Sequence, residues 1–87
     1  MEIQYLGVYN NLGRRYTDAS VIIRRTLTDL SDTIEICTPF ESWHADYAYG
    51  LKFFWGLDDR GIALEETQAI EIVDQWKRNW ANNNNPR

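Results

Sequence analysis

The chain has 87 residues, of which 44% are hydrophobic and 25% are charged. This length suits one domain with one core and is too short for two. Nine basic and thirteen acidic residues give a net charge of −4. Because phosphate binding depends on clustered Lys and Arg, this charge argues against nucleic acid as the main direct partner.

Cysteine content and the N-terminus indicate the compartment. The single cysteine, Cys37, cannot form an internal disulfide and favours a reducing environment. The first nine residues lack the basic start, long apolar run and cleavage site of a signal peptide. No apolar stretch approaches the roughly 20 residues that span a bilayer, so we expect no membrane partner. Together these features predict a cytoplasmic protein.

Two short segments have the composition of β-strands. Residues 2–9 predict the first strand, and the Asn- and Gly-containing segment 10–13 predicts a turn after it. Residues 33–38 predict another strand, with its two isoleucines on one face, and Pro39 ends it.

Residues 18–31 fit two interpretations. As a helix, the segment places its apolar side chains on one face and Arg24 and Arg25 on the other. As a strand, it benefits from several β-branched residues, but Arg25 interrupts the alternation of apolar and polar positions. The helical pattern has fewer exceptions, so we favour a helix here.

Aromatic residues are concentrated in the middle of the chain. They form 14% of the sequence, and seven of the twelve lie between residues 40 and 55. Within 46–57, large side chains occupy consecutive odd positions, namely Tyr47, Tyr49, Leu51, Phe53 and Trp55. A period of two predicts a strand that buries this odd-numbered face. Phe54 lies on the opposite face beside Lys52, where it is either covered by a second layer or exposed.

The clearest helical pattern covers residues 65–81. Its apolar positions form one narrow stripe, made of Ala69, Ile72, Val73, Trp76 and Trp80. We expect this helix to pack on the aromatic face of the 46–57 strand, with its two tryptophans buried against the rings of that strand. The globular domain is then 1–81, and the asparagine-rich segment 82–87 is predicted to be a disordered tail.

These elements predict an α+β fold. We expect a small antiparallel sheet of three to four strands with the C-terminal amphipathic helix, 65–81, packed on one face. If 18–31 is helical, this second helix packs beside the first or covers the opposite face of the sheet.

A catalytic site is not evident. One cluster, formed by Glu35, Cys37, His44 and Asp46, could orient a Cys–His pair with a carboxylate. However, no helix N-terminus is evident to lower the thiol pKa, and one Cys and one His are too few for a convincing metal site. No glycine-rich phosphate loop is present. We therefore expect no enzyme activity, metal or cofactor, and retain these four residues as an alternative ligand-binding or catalytic site.

Two surface features are candidates for contact with a partner. An exposed Phe54 among small residues could anchor a partner protein. Two arginine pairs, separated by ten residues, could lie on one side of the fold and bind carboxylates or phosphates. The candidate contact residues are therefore Lys52, Phe54, Arg14, Arg15, Arg24 and Arg25.

We predict a non-catalytic protein-binding module: a small acidic regulator, adaptor or inhibitor that acts in a hetero-complex or as a homodimer. Such a protein could occupy a basic groove of a nucleic-acid-handling complex, as inhibitors carried by phages do, although this comparison rests on size and charge alone. The first alternative is a small-ligand-binding protein or enzyme that uses the Glu35–Asp46 cluster. The second is a nucleic-acid binder that uses the arginine pairs.

Overall fold

The computed structural model describes residues 1–10 and 15–84, and for residues 81–84 it describes the backbone alone. Within these ranges the α+β prediction is confirmed, although the sheet has five strands rather than three to four. The elements in chain order are β1 (Glu2–Val8), a short 3-10 helix (Tyr16–Asp18), β2 (Val21–Leu27), β3 (Asp32–Cys37), β4 (His44–Ala45), α1 (Tyr47–Phe54), β5 (Gly61–Leu64) and α2 (Glu66–Asn84).

The strands form one antiparallel sheet in the order β4-β3-β2-β1-β5, with one helix on each face. Ile22 of β2 belongs to the cluster that α2 covers, whereas the adjacent Ile23 belongs to the cluster that α1 covers. Both side chains are fully buried. Because both faces of this central strand are covered, its first three residues, 21–23, are apolar in succession rather than alternating with polar residues.

The prediction of a helix at 18–31 is wrong, because this segment contains strand β2. Arg24 and Arg25, which the helical pattern grouped on one side, lie on opposite faces of the sheet. Arg24 Nη2 is 2.9 Å from a carboxylate oxygen of Glu35, and Arg25 Nη2 is 2.6 Å from one of Asp32. Since each charge is paired across the strands, the arginines do not prevent the β-branched residues from forming a strand.

The prediction of a strand at 46–57 is also wrong, because this segment forms helix α1. Asp46 caps the helix: its carboxylate accepts the Tyr49 N–H at 3.1 Å. At the other end Gly56 has a φ of 76°, and the Leu57 N–H donates to the carbonyl five residues earlier at 2.9 Å. This pairing is a Schellman motif, in which glycine adopts the left-handed conformation that stops a helix.

Helix α1 lies close to the sheet because Gly50 has no side chain. A Cβ at this position would overlap with Cγ2 of Ile34 in β3. Tyr49 and Phe53, one helical turn apart, pack into the same apolar cluster, and their rings meet edge to face with centroids 5.4 Å apart. Trp55 lies past the end of the helix and is 67% exposed, which contradicts its predicted burial.

The remaining predicted elements are placed as follows. The strands expected at 2–9 and 33–38 are confirmed as β1 and β3, and the helix expected at 65–81 is confirmed as α2. Helix α2 continues through residues 82–84 of the predicted tail, whereas 85–87 lie outside the described residues. Most of the predicted turn at 10–13 also lies outside them.

Helix α2 packs on the opposite face of the sheet from α1. Ala69, Ile72 and Val73 are buried in its cluster, with Trp76 half-buried at the margin. The predicted packing of Trp76 and Trp80 against the aromatic rings of α1 is therefore wrong. Across the described ranges, neither helix is long and apolar enough to cross a membrane.

Candidate functional site

A cleft of about 790 Å³ lies between the loop that joins β3 to β4 and residues 73–80 of α2. Ligand sites typically occupy roughly 300–1,000 Å³ and combine an apolar, aromatic lining with a few polar groups. This cleft has that composition: its lining is Cys37, Thr38, Pro39, Phe40, Glu41, Ser42, Trp43, His44, Val73, Trp76, Lys77 and Trp80. It is therefore the candidate functional site.

Helix α2 forms one wall of the cleft. Val73, Trp76, Lys77 and Trp80 are spaced by three, one and three residues, which places them on a single helical face. Exposure rises along this face: Val73 is buried, Trp76 is half-buried and Trp80 is 57% exposed. The apolar stripe of the helix thus continues past the core and lines the cleft with two indole rings.

The β3–β4 loop forms the other wall. Thr38 Oγ1 accepts the N–H groups of Phe40 at 3.2 Å and Glu41 at 3.0 Å, and the Thr38 N–H donates to the Glu41 carbonyl at 3.0 Å. Pro39 restricts the backbone of the loop further. These bonds order the loop while the Phe40 ring is 84% exposed. A large apolar side chain held at the surface by an ordered loop is a feature of contact sites.

Trp43 is positioned by the sheet. The Arg24 guanidinium lies 4.1 Å from the centroid of the Trp43 ring, in cation–π geometry. Glu35 holds that guanidinium from the adjacent strand, through bonds of 2.9 and 3.2 Å to one carboxylate oxygen. This three-residue network fixes the ring before any partner binds, so the cleft is pre-formed on this side.

Two cations act on the interior of the cleft. Lys77 is exposed, and no described carboxylate forms an ion pair with it. Burial raises the pKa of the Cys37 thiol above its ordinary value, and the positive charges of Lys77 and Arg24 oppose that rise. Cys37 is consequently a protonated, poorly nucleophilic thiol at neutral pH.

Of the predicted alternative site, Cys37 and His44 both line the cleft. His44 Nδ1 is 3.0 Å from the Ser42 carbonyl oxygen and 3.6 Å from a carboxylate oxygen of Glu41. The imidazole is thus oriented by Ser42 and Glu41 of the β3–β4 loop, which directly precedes it in the chain.

The two carboxylates of the predicted alternative site have structural partners instead. Glu35 is engaged by Arg24, and Asp46 caps helix α1. Neither residue lines the cleft. The structure thus brings two of the four predicted residues to one site.

The predicted contact residues divide between the two faces of the sheet. On the α1 side, the Arg25 guanidinium lies 5.2 Å from the centroid of the half-buried Phe54 ring. Lys52 Nζ is 3.8 Å from a carboxylate oxygen of Asp58 and 4.9 Å from the Tyr49 ring centroid. The Arg25 guanidinium, which is already paired with Asp32, partly covers Phe54, so Phe54 is not an isolated exposed anchor.

The other three predicted contact residues are dispersed. Arg24 lies on the α2 face, where Glu35 and Trp43 hold it. Arg15 is exposed next to the 3-10 helix, and Arg14 lies outside the described residues. The described arginines therefore do not form a single basic surface.

Reasoning from the sequence missed Phe40, Lys77 and the exposure of Trp80 as features of a site. The signal was present in the 73–80 spacing, which the helical pattern identified but assigned wholly to the core. Exposure could not be read from this spacing, because a helical stripe does not indicate where the surface that covers it ends.

No family model matches the chain, and no curated protein or solved structure matches it either. Among residues 1–10 and 15–84, no three His, Cys, Asp or Glu side chains are grouped so that they could hold a metal ion.

Proposed function

We propose that this chain is a non-catalytic protein-binding module that receives an apolar segment of a partner protein in the cleft between the β3–β4 loop and α2. The observation that carries the proposal is the exposure of Phe40 and Trp80, 84% and 57%, beside a cleft that Trp43 and Trp76 also line. Clustered apolar exposure marks interaction surfaces, and tryptophan is among the residues that contribute most to binding energy.

The partner is a different protein in a hetero-complex, and the module acts as a regulator, adaptor or inhibitor of it. The alternative partner is a second copy of this chain in a twofold homodimer, in which the exposed Phe40 of each copy would enter the cleft of the other. The free, buried Cys37 suits a reducing compartment, which supports a cytoplasmic location.

Catalysis is disfavoured by the state of the candidate groups. Burial keeps the Cys37 thiol protonated, while Glu35 and Asp46 are occupied by Arg24 and by the N-terminus of α1. A nucleophile needs a low pKa or an adjacent base, and a base needs an orienting partner. We therefore propose a binding protein rather than an enzyme.

Nucleic-acid binding through the arginine pairs is disfavoured by their placement. Arg24 and Arg25 point to opposite faces of the sheet, and each is within 3 Å of a carboxylate oxygen. Release of counterions requires cations that contact phosphates together along one surface. Arg15 alone among the described arginines of these pairs remains without an ion pair.

A second candidate function is the binding of a small ligand in the same cleft. The observation that favours it is that Cys37 and His44 both line the cleft, where they could contact a ligand with their polar atoms. The conservative substitution Cys37→Ala and the substitution His44→Ala should then each abolish ligand binding. Retained binding after both changes would eliminate this candidate.

The protein-binding proposal is tested by affinity capture from a lysate of the source cells with matched variants. The test variants are Phe40→Ser and Trp80→Ser, which alter exposed positions and should preserve the fold. The control is Trp55→Ser, because Trp55 is 67% exposed but does not line the cleft. We expect the native chain and the control to recover the same stoichiometric partner, and both test variants to lose it.

Two results would contradict the proposal. One is recovery of the same partner by both cleft variants at native levels. The other is the absence of any stoichiometric partner from the native chain. Circular dichroism of each variant confirms that loss of the partner does not reflect unfolding.

A further inference from the structure

Lys77 is an unusual residue for its position. It lies on the α2 face that carries the tryptophans of the cleft, one residue after Trp76 and three before Trp80. Its ammonium group has no ion-pair partner among the described residues, although the chain as a whole has more acidic than basic residues. An unpaired cation beside apolar rings is available to a ligand and selects its charge.

The surrounding charges reinforce this selection. Arg24 lies over the Trp43 ring but does not line the cleft, and Glu35 compensates its charge, so Lys77 is the uncompensated cation among the described lining residues. The carboxylate of Glu41, on the opposite wall, is largely exposed and lies 3.6 Å from His44 Nδ1. The cleft is therefore more positive towards α2 and more negative towards the loop.

We propose that the partner segment carries a large aromatic or aliphatic side chain next to an acidic residue, and that Lys77 binds the carboxylate of that residue. This inference rests on the proposed protein-binding function. The apolar side chain packs among the tryptophan rings, and the acid lies towards α2.

The apolar lining strengthens this charge contact. Two unit charges interact more strongly where aromatic side chains exclude water than they do in bulk solvent. An acidic segment in the reverse orientation would meet Glu41, and like charges at close range disfavour that arrangement. A basic residue at the α2 end would instead meet Lys77. The cleft thus selects an acidic residue at its α2 end, and so sets the direction of the bound segment.

The test uses two isosteric peptides, acetyl-Phe-Glu-amide and acetyl-Phe-Gln-amide, which differ in a single charge. Binding is followed at low ionic strength by the NMR shifts of the tryptophan indole N–H groups. We expect both peptides to shift the signals of Trp43, Trp76 and Trp80 while that of Trp55 stays unchanged. The glutamate peptide should bind about three- to tenfold more tightly, as one partly desolvated charge-assisted contact implies.

Variants assign the charge preference to one residue. Lys77→Met retains an unbranched apolar side chain and should equalise the two affinities, and Lys77→Glu should reverse the preference. The control is Lys52→Met, because Lys52 lies on helix α1 on the other side of the sheet and should leave the preference intact. Native-like NMR spectra for all three variants confirm that the fold is retained.

The outcomes separate this inference from the function on which it rests. If neither peptide shifts the indole signals of the cleft, both the protein-binding proposal and the role of Lys77 are overturned. If both peptides bind the native chain equally, the cleft still binds apolar segments but the charge selection is refuted. If the preference for glutamate persists in Lys77→Met, Lys77 is not the residue that confers it.

Discussion

The substitution Gly50→Ala, at the contact between α1 and β3, has two opposing effects on stability: it raises helix propensity and it introduces a steric clash. Alanine is favoured over glycine in a helix interior by about 0.8–1.0 kcal/mol. The added methyl group, however, overlaps with Cγ2 of Ile34 and lies 3.2 Å from Cγ2 of Ile23. Adding a methyl group to a packed core costs about 1–3 kcal/mol.

The packing cost should lie in the upper part of that range. Cγ2 of Ile34 is attached directly to the branched Cβ, whose rotation about χ1 is restricted, so the methyl group cannot move away unless the whole buried side chain changes rotamer. Ile34 and Ile23 are fully buried on neighbouring strands, so neither can move towards solvent. Taking about 2–3 kcal/mol for the clash, we expect Gly50→Ala to destabilise the fold by about 1–2 kcal/mol.

Urea denaturation followed by circular dichroism measures this difference. Ala48→Gly is the matched control, because Ala48 is exposed on the same helix and reports propensity without packing. In an Ile34→Ala background, which removes the clashing methyl group, Gly50→Ala should cost less or become stabilising. A native-background Gly50→Ala variant that is as stable as the original chain, or more stable, would refute the reasoning.

Three further outcomes are expected. Asp46→Ala should destabilise the chain by about 1 kcal/mol, because the Tyr49 N–H loses its cap, whereas Asp46→Asn should retain most of the stability. Equal denaturation midpoints for the native chain and Asp46→Ala would count against the cap. Cys37 should react slowly with iodoacetamide at pH 8 and rapidly in urea, because burial raises the thiol pKa and shields the sulfur; fast native-state labelling in mass spectra would contradict this. Bonds from Arg60 lower the pKa of Asp58 to about 2, so its contribution to stability is complete above the ordinary carboxyl pKa and is lost as pH falls towards 2. Asp58→Asn should therefore show a shallower loss of stability across this acid range than the native chain, and parallel pH profiles would exclude the contribution.

The elements that could be predicted from sequence are those whose local pattern agrees with their environment. Strands β1 and β3 and helix α2 combine a suitable apolar period with a clear boundary. Helix α2 has an apolar stripe that matches its single contact with the sheet. In these three elements, the local sequence largely determines the conformation of each residue.

Strand β2 was mispredicted because its environment is symmetrical. It lies at the centre of the sheet, so Ile22 and Ile23 are buried in succession and no alternation remains. The charges of Arg24 and Arg25 then resembled the polar face of a helix. Their actual partners, Glu35 and Asp32, are on another strand, and this pairing depends on register rather than on local sequence.

Helix α1 was mispredicted because a short window contains too few residues to separate two periods. Tyr49 and Phe53 share a face both in a strand and in a helix, since a separation of four satisfies both repeats. The decisive signals were at the ends: Asp46 as the N-cap and Gly56 as the terminating residue. These boundary residues identify an eight-residue helix more reliably than the aromatic alternation between them.

The candidate site was partly predictable. Cys37 and His44 of the predicted alternative site both line the cleft, whereas the residues of the partner surface expected around Phe54 and Lys52 are engaged in internal contacts. The cleft arises where the β3–β4 loop meets the 73–80 part of α2, about thirty residues or more away in sequence. Only the tertiary fold brings these two segments together.

The sheet separates the interior of the molecule into two compartments that share almost no side chains. One set of strand residues packs against α1. The residues next to them in the strands point to the reverse side of the sheet and pack against α2. Core substitutions made in different compartments should accordingly have additive energetic effects. Either helix could also open transiently while the other stays docked, so amide hydrogen exchange should resolve two independent opening events in a molecule of only 87 residues.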